Sequence, residues 1–133
     1  MDNVEHIGIA VKSLKEASLV YETLLGCKSY KVEAVESERV VTEFFKVGKT
    51  KIELLEASSE ESAIASFISK RGEGIHHIAF SVDNIYEEME RLKKEGFILL
   101  SDLPKRGADN KLVCFVHPKS AHGVLIELCQ EIK

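Results

Sequence analysis

The sequence GIHHIAFSV, residues 74–82, has the length and the apolar composition of a β-strand and contains two adjacent histidines. Side chains alternate between the two faces of a strand, so one histidine of the pair faces a given site while the other points away. A similar sequence, HIGIAV at residues 6–11, stands 71 positions before HIAFSV. His77, the counterpart of His6, is therefore the expected site histidine, and His76 is expected to make structural contacts.

The repeat continues into a helix start. Ser13 and Glu16 have the spacing of a capping box, and Asn84 and Glu87 repeat that spacing 71 residues later. Gly26 has the position of a helix C-cap. Each half is therefore predicted to contain one amphipathic helix. Its apolar face is formed by Leu14, Ala17, Tyr21, Leu24 and Leu25 in the first half, and by Ile85, Met89 and Leu92 in the second.

The other apolar segments have the length of strands. Further strands are predicted at residues 28–35, 39–47 and 51–56 in the first half, and at residues 97–100, 111–117 and 123–129 in the second. Residues 103–110 are predicted to be a loop, so each half has the order β-α-β-β-β. The expected fold class is α+β, in which the two modules form a curved, eight-stranded mixed sheet with a cleft. Neither four-stranded sheet would bury its apolar face alone.

The whole chain of 133 residues is expected to be a single domain. The first module covers residues 1–57 and the second covers residues 74–133. The segment 58–73 between them is predicted to be a connector helix, with Ser58 and Glu61 as its capping box.

Composition and charge favour a soluble globular protein. The chain is 44% hydrophobic and 30% charged, and its net charge of −4 without a basic stripe argues against a nucleic-acid partner. No apolar run approaches the roughly 20 residues of a membrane span, and no signal-peptide pattern is present, so a cytoplasmic location is expected. Cys27, Cys114 and Cys129 lack metal-binding or disulfide spacing and are expected to be buried, reduced thiols.

Glu53 and Glu127 interrupt otherwise apolar strands at similar positions in the two modules, as His6 and His77 begin equivalent strands. An ionised carboxylate in a buried strand is costly unless it is paired or binds a metal. Two nitrogen and two oxygen ligands suit a divalent ion such as Co, Ni, Mn, Zn or Mg and leave two of six positions open. The alternative is that the glutamates face solvent and the histidines are satisfied core groups. Four matched residues favour the metal site.

The repeated β-α-β-β-β order resembles the vicinal oxygen chelate superfamily. Nearly the whole chain is similar to the methylmalonyl-CoA epimerase family, through HIGIAV at 6–11, KIELLE at 51–56, GEGIHHIAF at 72–80, HPKS at 117–120 and GVLIEL at 123–128. The resemblance implies a divalent metal, an acyl-CoA substrate and a homodimer. Carried over to this chain, the metal ligands of the family are His6, Glu53, His77 and Glu127.

The resemblance also implies a reaction, the epimerisation of methylmalonyl-CoA at C2 through a metal-stabilised enolate. Such a reaction uses acid–base groups on both faces of the enolate, and Glu127 is expected to be one of them. The family has a second carboxylate on the strand before Glu53, for which the nearest candidate is Glu43. A three-residue turn at 48–50 would place Glu43 on the side of Glu53, whereas a two-residue turn would place it on the opposite side.

Two other functions stay open at the level of sequence. A glyoxalase I-like lyase acting on a hemithioacetal would use the same metal, although the HPKS loop favours the epimerase. A non-catalytic small-molecule-binding protein of the superfamily would not need an open metal site. His76 and His117 are expected in structural or loop contacts, Lys119 and Ser120 lie either against substrate or in a solvated turn, and His122 has no assigned role.

Overall fold

Eight strands and three α-helices form two β-α-β-β-β modules joined by a helix. The structure is a computed structural model that describes all 133 residues. The predicted modules are confirmed. Their elements are β1 (Val4–Ala10), α1 (Leu14–Leu25), β2 (Lys31–Val35), β3 (Val40–Val47), β4 (Thr50–Ala57), α2 (Ala63–Arg71), β5 (Gly74–Ser81), α3 (Ile85–Lys94), β6 (Lys105–Gly107), β7 (Lys111–Val116) and β8 (Ile126–Glu131).

Hydrogen bonds order the strands β2-β3-β4-β1-β5-β8-β7-β6 in one sheet of eight. β1 runs parallel to β4 and β5 runs parallel to β8. The pairs β2-β3, β3-β4, β6-β7 and β7-β8 are antiparallel. The sheet is therefore mixed, and the predicted α+β fold class is confirmed.

Contacts divide the chain into two compact units. The first unit comprises His6–His76, and the second unit comprises Met1–Glu5 together with His77–Lys133. β1 thus contributes its first two residues to the second unit. There the Ser81 N–H donates to the carbonyl of Asn3, and the Asp2 N–H donates to the carbonyl of Ser81, both at 3.0 Å. These bonds attach the N-terminal residues to β5.

The helix caps repeat as the sequence predicts. The Ser13 hydroxyl accepts a hydrogen bond from the Glu16 N–H, and the Asn84 side-chain oxygen accepts one from the Glu87 N–H, each at 3.2 Å. Each bond satisfies a backbone donor that has no partner within its own helix. Gly26 ends α1 with φ 71°, a left-handed conformation that glycine adopts without steric cost.

Two boundaries differ from the sequence prediction. The connector helix begins at Ala63 rather than near residue 58, because Ser62, not Ser58, caps it by accepting from the Ile64 N–H at 3.1 Å. Residues 97–100 do not form a strand, since Leu99 makes a single antiparallel bridge with Val116. The short strand of the second module is instead β6, within the segment expected to be a loop.

In each module the helix after the first strand covers one face of the neighbouring strands. α1 packs against Val11, Phe45 and Leu54, and α3 packs against a cluster that contains Cys114 and Leu128. Because side chains alternate along a strand, the residues next to these in sequence point to the opposite face. No helix of the chain is long and apolar enough to cross a membrane.

We expect Leu54→Ala to lower the free energy of unfolding by about 2–5 kcal/mol, because Leu54 is 0% exposed and its removal leaves a cavity under α1. Leu24, predicted from the sequence to lie on the apolar face of α1, is instead 70% exposed. Leu24→Ala is therefore the matched control, and the change should stay within about 0.5 kcal/mol. Urea unfolding of both variants measures the difference. Equal effects of the two substitutions would contradict the packing described for α1.

Candidate functional site

A histidine and a glutamate pair in the first unit. His6 Nδ1 lies 3.0 Å from Glu53 Oε2, and the two side chains are 5% and 6% exposed. β1 and β4 position them, because their parallel register aligns Gly8 with Glu53 and leaves His6 two residues earlier on the same face.

The second unit contains an equivalent pair. His77 Nε2 lies 3.1 Å from Glu127 Oε1, and both side chains are buried. Here the parallel register of β5 and β8 aligns Ala79 with Glu127, and His77 again stands two residues earlier. Each unit thus has the same diagonal arrangement, with a small residue, glycine or alanine, directly beside the glutamate. We call the face that carries each pair the His–Glu face of its unit.

An aromatic ring accompanies each glutamate. Phe115 aligns with Glu127, and its ring meets the His77 ring edge-on with 5.9 Å between centroids. Phe44 aligns with Glu53 in the first unit and is 0% exposed. The two phenylalanines are 71 residues apart, so the repeat extends to the surroundings of the pairs. Packed rings of this kind limit the rotation of the ligand candidates and exclude water from them.

The turn between β3 and β4 decides the place of Glu43. Val47 aligns with Thr50, so the turn holds two residues, and the register pairs Glu43 with Leu54. Glu43 therefore lies on the face covered by α1, opposite the face of Glu53. The turn is thus not the three-residue turn that would place Glu43 on the face of Glu53, and the expected position of Glu43 beside the candidate metal ligands is wrong.

The contacts of Glu43 agree with that register. Its carboxylate accepts a hydrogen bond of 2.9 Å from the Ser18 hydroxyl on α1, and the residue is 7% exposed. The residue 71 positions later is Cys114, which packs in the cluster under α3. Both therefore occupy the helix-covered face of their unit. Next to Glu53 on the His–Glu face, β3 presents Thr42 and Phe44, neither of which has a carboxylate or imidazole that could act as a general base.

The adjacent histidines separate as the strand period requires. His77 is buried at the pair, while His76 is partly exposed and stacks edge-on against Phe67 of α2 at 4.9 Å between centroids. His76 thus packs against a helix of the first unit and has the structural contact expected of it.

The HPKS segment forms a 3₁₀ turn, Pro118–Ala121. His117 Nδ1 accepts from the Lys119 N–H at 3.0 Å, and the Ser120 hydroxyl accepts from the Ile98 N–H at 2.9 Å. Both side chains therefore hold local backbone in place. Lys119 and His122 are exposed.

The cysteines offer no activated nucleophile. All three are free thiols, and Cys114 and Cys129 are buried as expected. The predicted burial of Cys27 is wrong, because this residue follows the end of α1 and is exposed. Burial raises the pKa of the Cys114 thiol, which keeps it protonated and unreactive near neutral pH.

Each His–Glu pair supplies one imidazole nitrogen and one carboxylate oxygen. These are the donor types of Zn, Co, Ni or Mn sites, and a carboxylate also suits Mg. Sequence reasoning did not select two further buried charged residues, Glu5 and Lys111, which are each 7% exposed. The signal for Lys111 was a lysine at the start of the strand KLVCFV, at the position where the first module has Val40.

Known proteins resemble this chain both in sequence and in fold. Residues 5–115 match the Glyoxalase/Bleomycin resistance protein/Dioxygenase superfamily. The chain is 40% identical to an ethylmalonyl-CoA/methylmalonyl-CoA epimerase of Cereibacter sphaeroides, over 96% of each chain. It is 32% identical to a Streptomyces coelicolor methylmalonyl-CoA epimerase in complex with 2-nitronate-propionyl-CoA, with a TM-score of 0.95 over 98% of this chain and 95% of the other. A methylmalonyl-CoA epimerase in complex with methylmalonyl-CoA and NH4+ gives 32% identity and a TM-score of 0.94 over the same shares.

We expect Ser18→Ala to lower the free energy of unfolding by about 1–3 kcal/mol, because the substitution removes a hydrogen bond from the buried Glu43 carboxylate. The control is Ser69→Ala at an exposed position of α2, which should change stability by less than about 0.5 kcal/mol. Chemical denaturation of both variants tests this placement. If Ser18→Ala proved neutral, Glu43 would not depend on α1 as the structure indicates.

Proposed function

The chain belongs to the Glyoxalase/Bleomycin resistance protein/Dioxygenase superfamily, and we propose that it is an isomerase that epimerises methylmalonyl-CoA at C2. The observation that supports this most is the pair of equivalent buried His–Glu contacts, one in each module. Similarity to methylmalonyl-CoA epimerases over nearly the full chain supports the same reaction and an acyl-CoA substrate.

We propose that His6, Glu53, His77 and Glu127 together hold one divalent ion. The donor set fits such an ion, because two nitrogens and two carboxylate oxygens are borderline and hard ligands. Burial supports it as well, since a carboxylate kept out of water needs a cation or strong hydrogen bonds. When bound, the ion would act as a Lewis acid toward the thioester carbonyl and stabilise the enolate. Co, Ni, Mn, Zn and Mg all remain consistent with these donors.

Glu127 is the residue that we assign to proton transfer. It lies 3.1 Å from His77 with Phe115 aligned beside it, and a carboxylate held at that place can take up or return the C2 proton of a substrate bound there. We do not assign Glu43 to the opposite face of the enolate, because its carboxylate lies under α1 and is hydrogen-bonded to Ser18 in the packing of the first unit. We propose that the proton that returns on that face, and so inverts C2, comes from solvent water.

The proposal includes the homodimer that the resemblance to the epimerase family implies, and a cytoplasmic location, which is a prediction from the sequence alone. Gel filtration with light scattering would measure the first, and fractionation of cells would measure the second. The glyoxalase I-like lyase and the non-catalytic binding protein are the alternatives that the following experiments separate from the epimerase.

We expect a chelator to lower the melting temperature of the protein, because an ion bound to the folded chain alone adds RT ln(1 + [L]/Kd), about 2.7 kcal/mol at a hundredfold excess over Kd. His77→Ala should reduce the metal content measured by elemental analysis. His122→Asn is the control, because His122 is exposed and asparagine tolerates its left-handed φ of 54°. Undiminished metal in His77→Ala would exclude the proposed site.

We expect the wild type to place deuterium at C2 of methylmalonyl-CoA in deuterium oxide, because the abstracted proton exchanges with solvent. Glu127→Gln should lower turnover by about 10²- to 10⁴-fold, the usual contribution of a general acid–base group, or more if the metal is also lost. Glu43→Gln should retain turnover at a temperature where it is fully folded. Product chirality and mass spectrometry measure both variants.

Three outcomes would contradict this assignment. Loss of turnover in folded Glu43→Gln would return Glu43 to the mechanism. Conversion of a hemithioacetal, with methylmalonyl-CoA untouched, would favour the lyase. Metal binding without either conversion would favour the binding protein.

A further inference from the structure

We propose that Lys111 binds an anionic oxygen group of the acyl-CoA substrate, either the phosphates of coenzyme A or the free carboxylate of the acyl group. This inference rests on the proposed function for the identity of the substrate. Its basis is the burial of the lysine, its place on the sheet and its contrast with the other module.

Lys111 is a buried cation with a distant partner. Its side chain is 8% exposed, and its Nζ lies 3.7 Å from Glu131 Oε1, whose side chain is 71% exposed. That separation exceeds hydrogen-bond distance, and an ion pair with an exposed carboxylate contributes little. Moving an ammonium group out of water is unfavourable when the pairing is poor. The contact with Glu131 therefore does not account for a lysine at this position.

The register places Lys111 on the His–Glu face of the second unit. β7 and β8 align Lys111 with Glu131 and Phe115 with Glu127, so both β7 residues share a face with Glu127. The residue next to it, Leu112, packs instead with the cluster under α3. Lys111 stands four residues from Phe115, which is about 13 Å along a strand. The ammonium therefore faces the same side as His77 and Glu127, at a distance that a long thioester substrate spans.

The first module shows that the fold does not require a lysine here. The residue 71 positions earlier is Val40, which is 9% exposed and packs with Leu55 and with Ile64 of α2. An aliphatic residue thus fills the equivalent position where a helix covers it. A charge at the same position of the second module indicates a binding role, because an apolar residue of similar size would be at least as stable there.

β6 adds no side chain beside Lys111. Gly107 aligns with Lys111, and a Cβ at Gly107 would approach the Val113 side chain to 3.1 Å, so only glycine fits there without a shift. The chain enters β7 through Asn110, whose side-chain amide donates to the Ile132 carbonyl at 3.1 Å. The start of β7 is thereby fixed to the end of β8, and the position of Lys111 is fixed with it.

The experiment is calorimetric titration of the full-length protein with two ligands that divide the substrate. Coenzyme A carries the phosphates without the acyl carboxylate, and methylmalonyl-pantetheine carries the carboxylate without the phosphates. We expect Lys111→Met to weaken the binding of one of the two ligands by about 10- to 100-fold, the loss that follows removal of a charge-assisted hydrogen bond. Weaker binding of coenzyme A would identify the phosphates as the group that Lys111 contacts. Weaker binding of methylmalonyl-pantetheine would identify the carboxylate.

Two controls separate binding from structure. Lys111→Arg keeps the charge and should retain most of the affinity, and Lys94→Met removes an exposed lysine of α3 and should leave both affinities unchanged. Lys111→Met should also melt at the same temperature as the wild type or higher, since an apolar residue replaces a poorly paired buried charge. A lysine with a purely structural role would instead lower the melting temperature.

Wild-type affinity of Lys111→Met for both ligands would overturn the inference, and so would a wild type that binds neither ligand. The outcome is independent of turnover. A wild type that binds these ligands but does not epimerise methylmalonyl-CoA would remove the proposed reaction and leave the role of Lys111 standing.

Discussion

Two parallel strand pairs, β1 with β4 and β5 with β8, determine where the candidate ligands lie. In each pair the register aligns a small residue with a glutamate and leaves a histidine two residues earlier on the same face. A shift of one residue in either pair would turn the glutamate toward the helix-covered face and separate it from its histidine. The hydrogen bonds of these two pairs are thus the constraint on which the site depends, and α1 and α3 stabilise them from the opposite face.

The burial of these pairs is costly for stability. A histidine and a carboxylate with about 5–7% exposure are removed from water, and well-packed apolar residues in their place would be as stable or more so. Apolar packing in the remainder of each module offsets that cost. Apolar clusters under the helices contain residues that are fully buried, among them Leu54, Ile85 and Leu128. The chain therefore combines a stable helix-covered face with a polar face whose arrangement is explained by chemistry rather than by folding.

The two modules share a frame but differ in what fills it. Phe44 and Phe115 occupy the same position beside each glutamate, and the fold accounts for both. Glu43 and Cys114 also correspond, yet one accepts a hydrogen bond from Ser18 and the other packs in an apolar cluster. Where two copies of one frame differ, the fold alone does not dictate the residue. Such differences, as between Val40 and Lys111, identify positions at which function rather than folding selects the residue.

The amino-acid sequence by itself determined the repeat, the two helix caps, the β-α-β-β-β order and the four candidate ligands. The helices and strands rest on periodicity and on contacts between residues a few positions apart, and the ligands rest on matched positions of the repeat, all of which a single sequence records. The sequence prediction missed the helix cap at Ser62 and the short strand β6. A turn at 59–62 determines where the connector helix begins, and pairing with β7 forms β6. Only the tertiary structure decided the side of the sheet on which Glu43 lies and the burial of Lys111. Both depend on the register between strands, and one residue more or less in a turn reverses every side chain that follows.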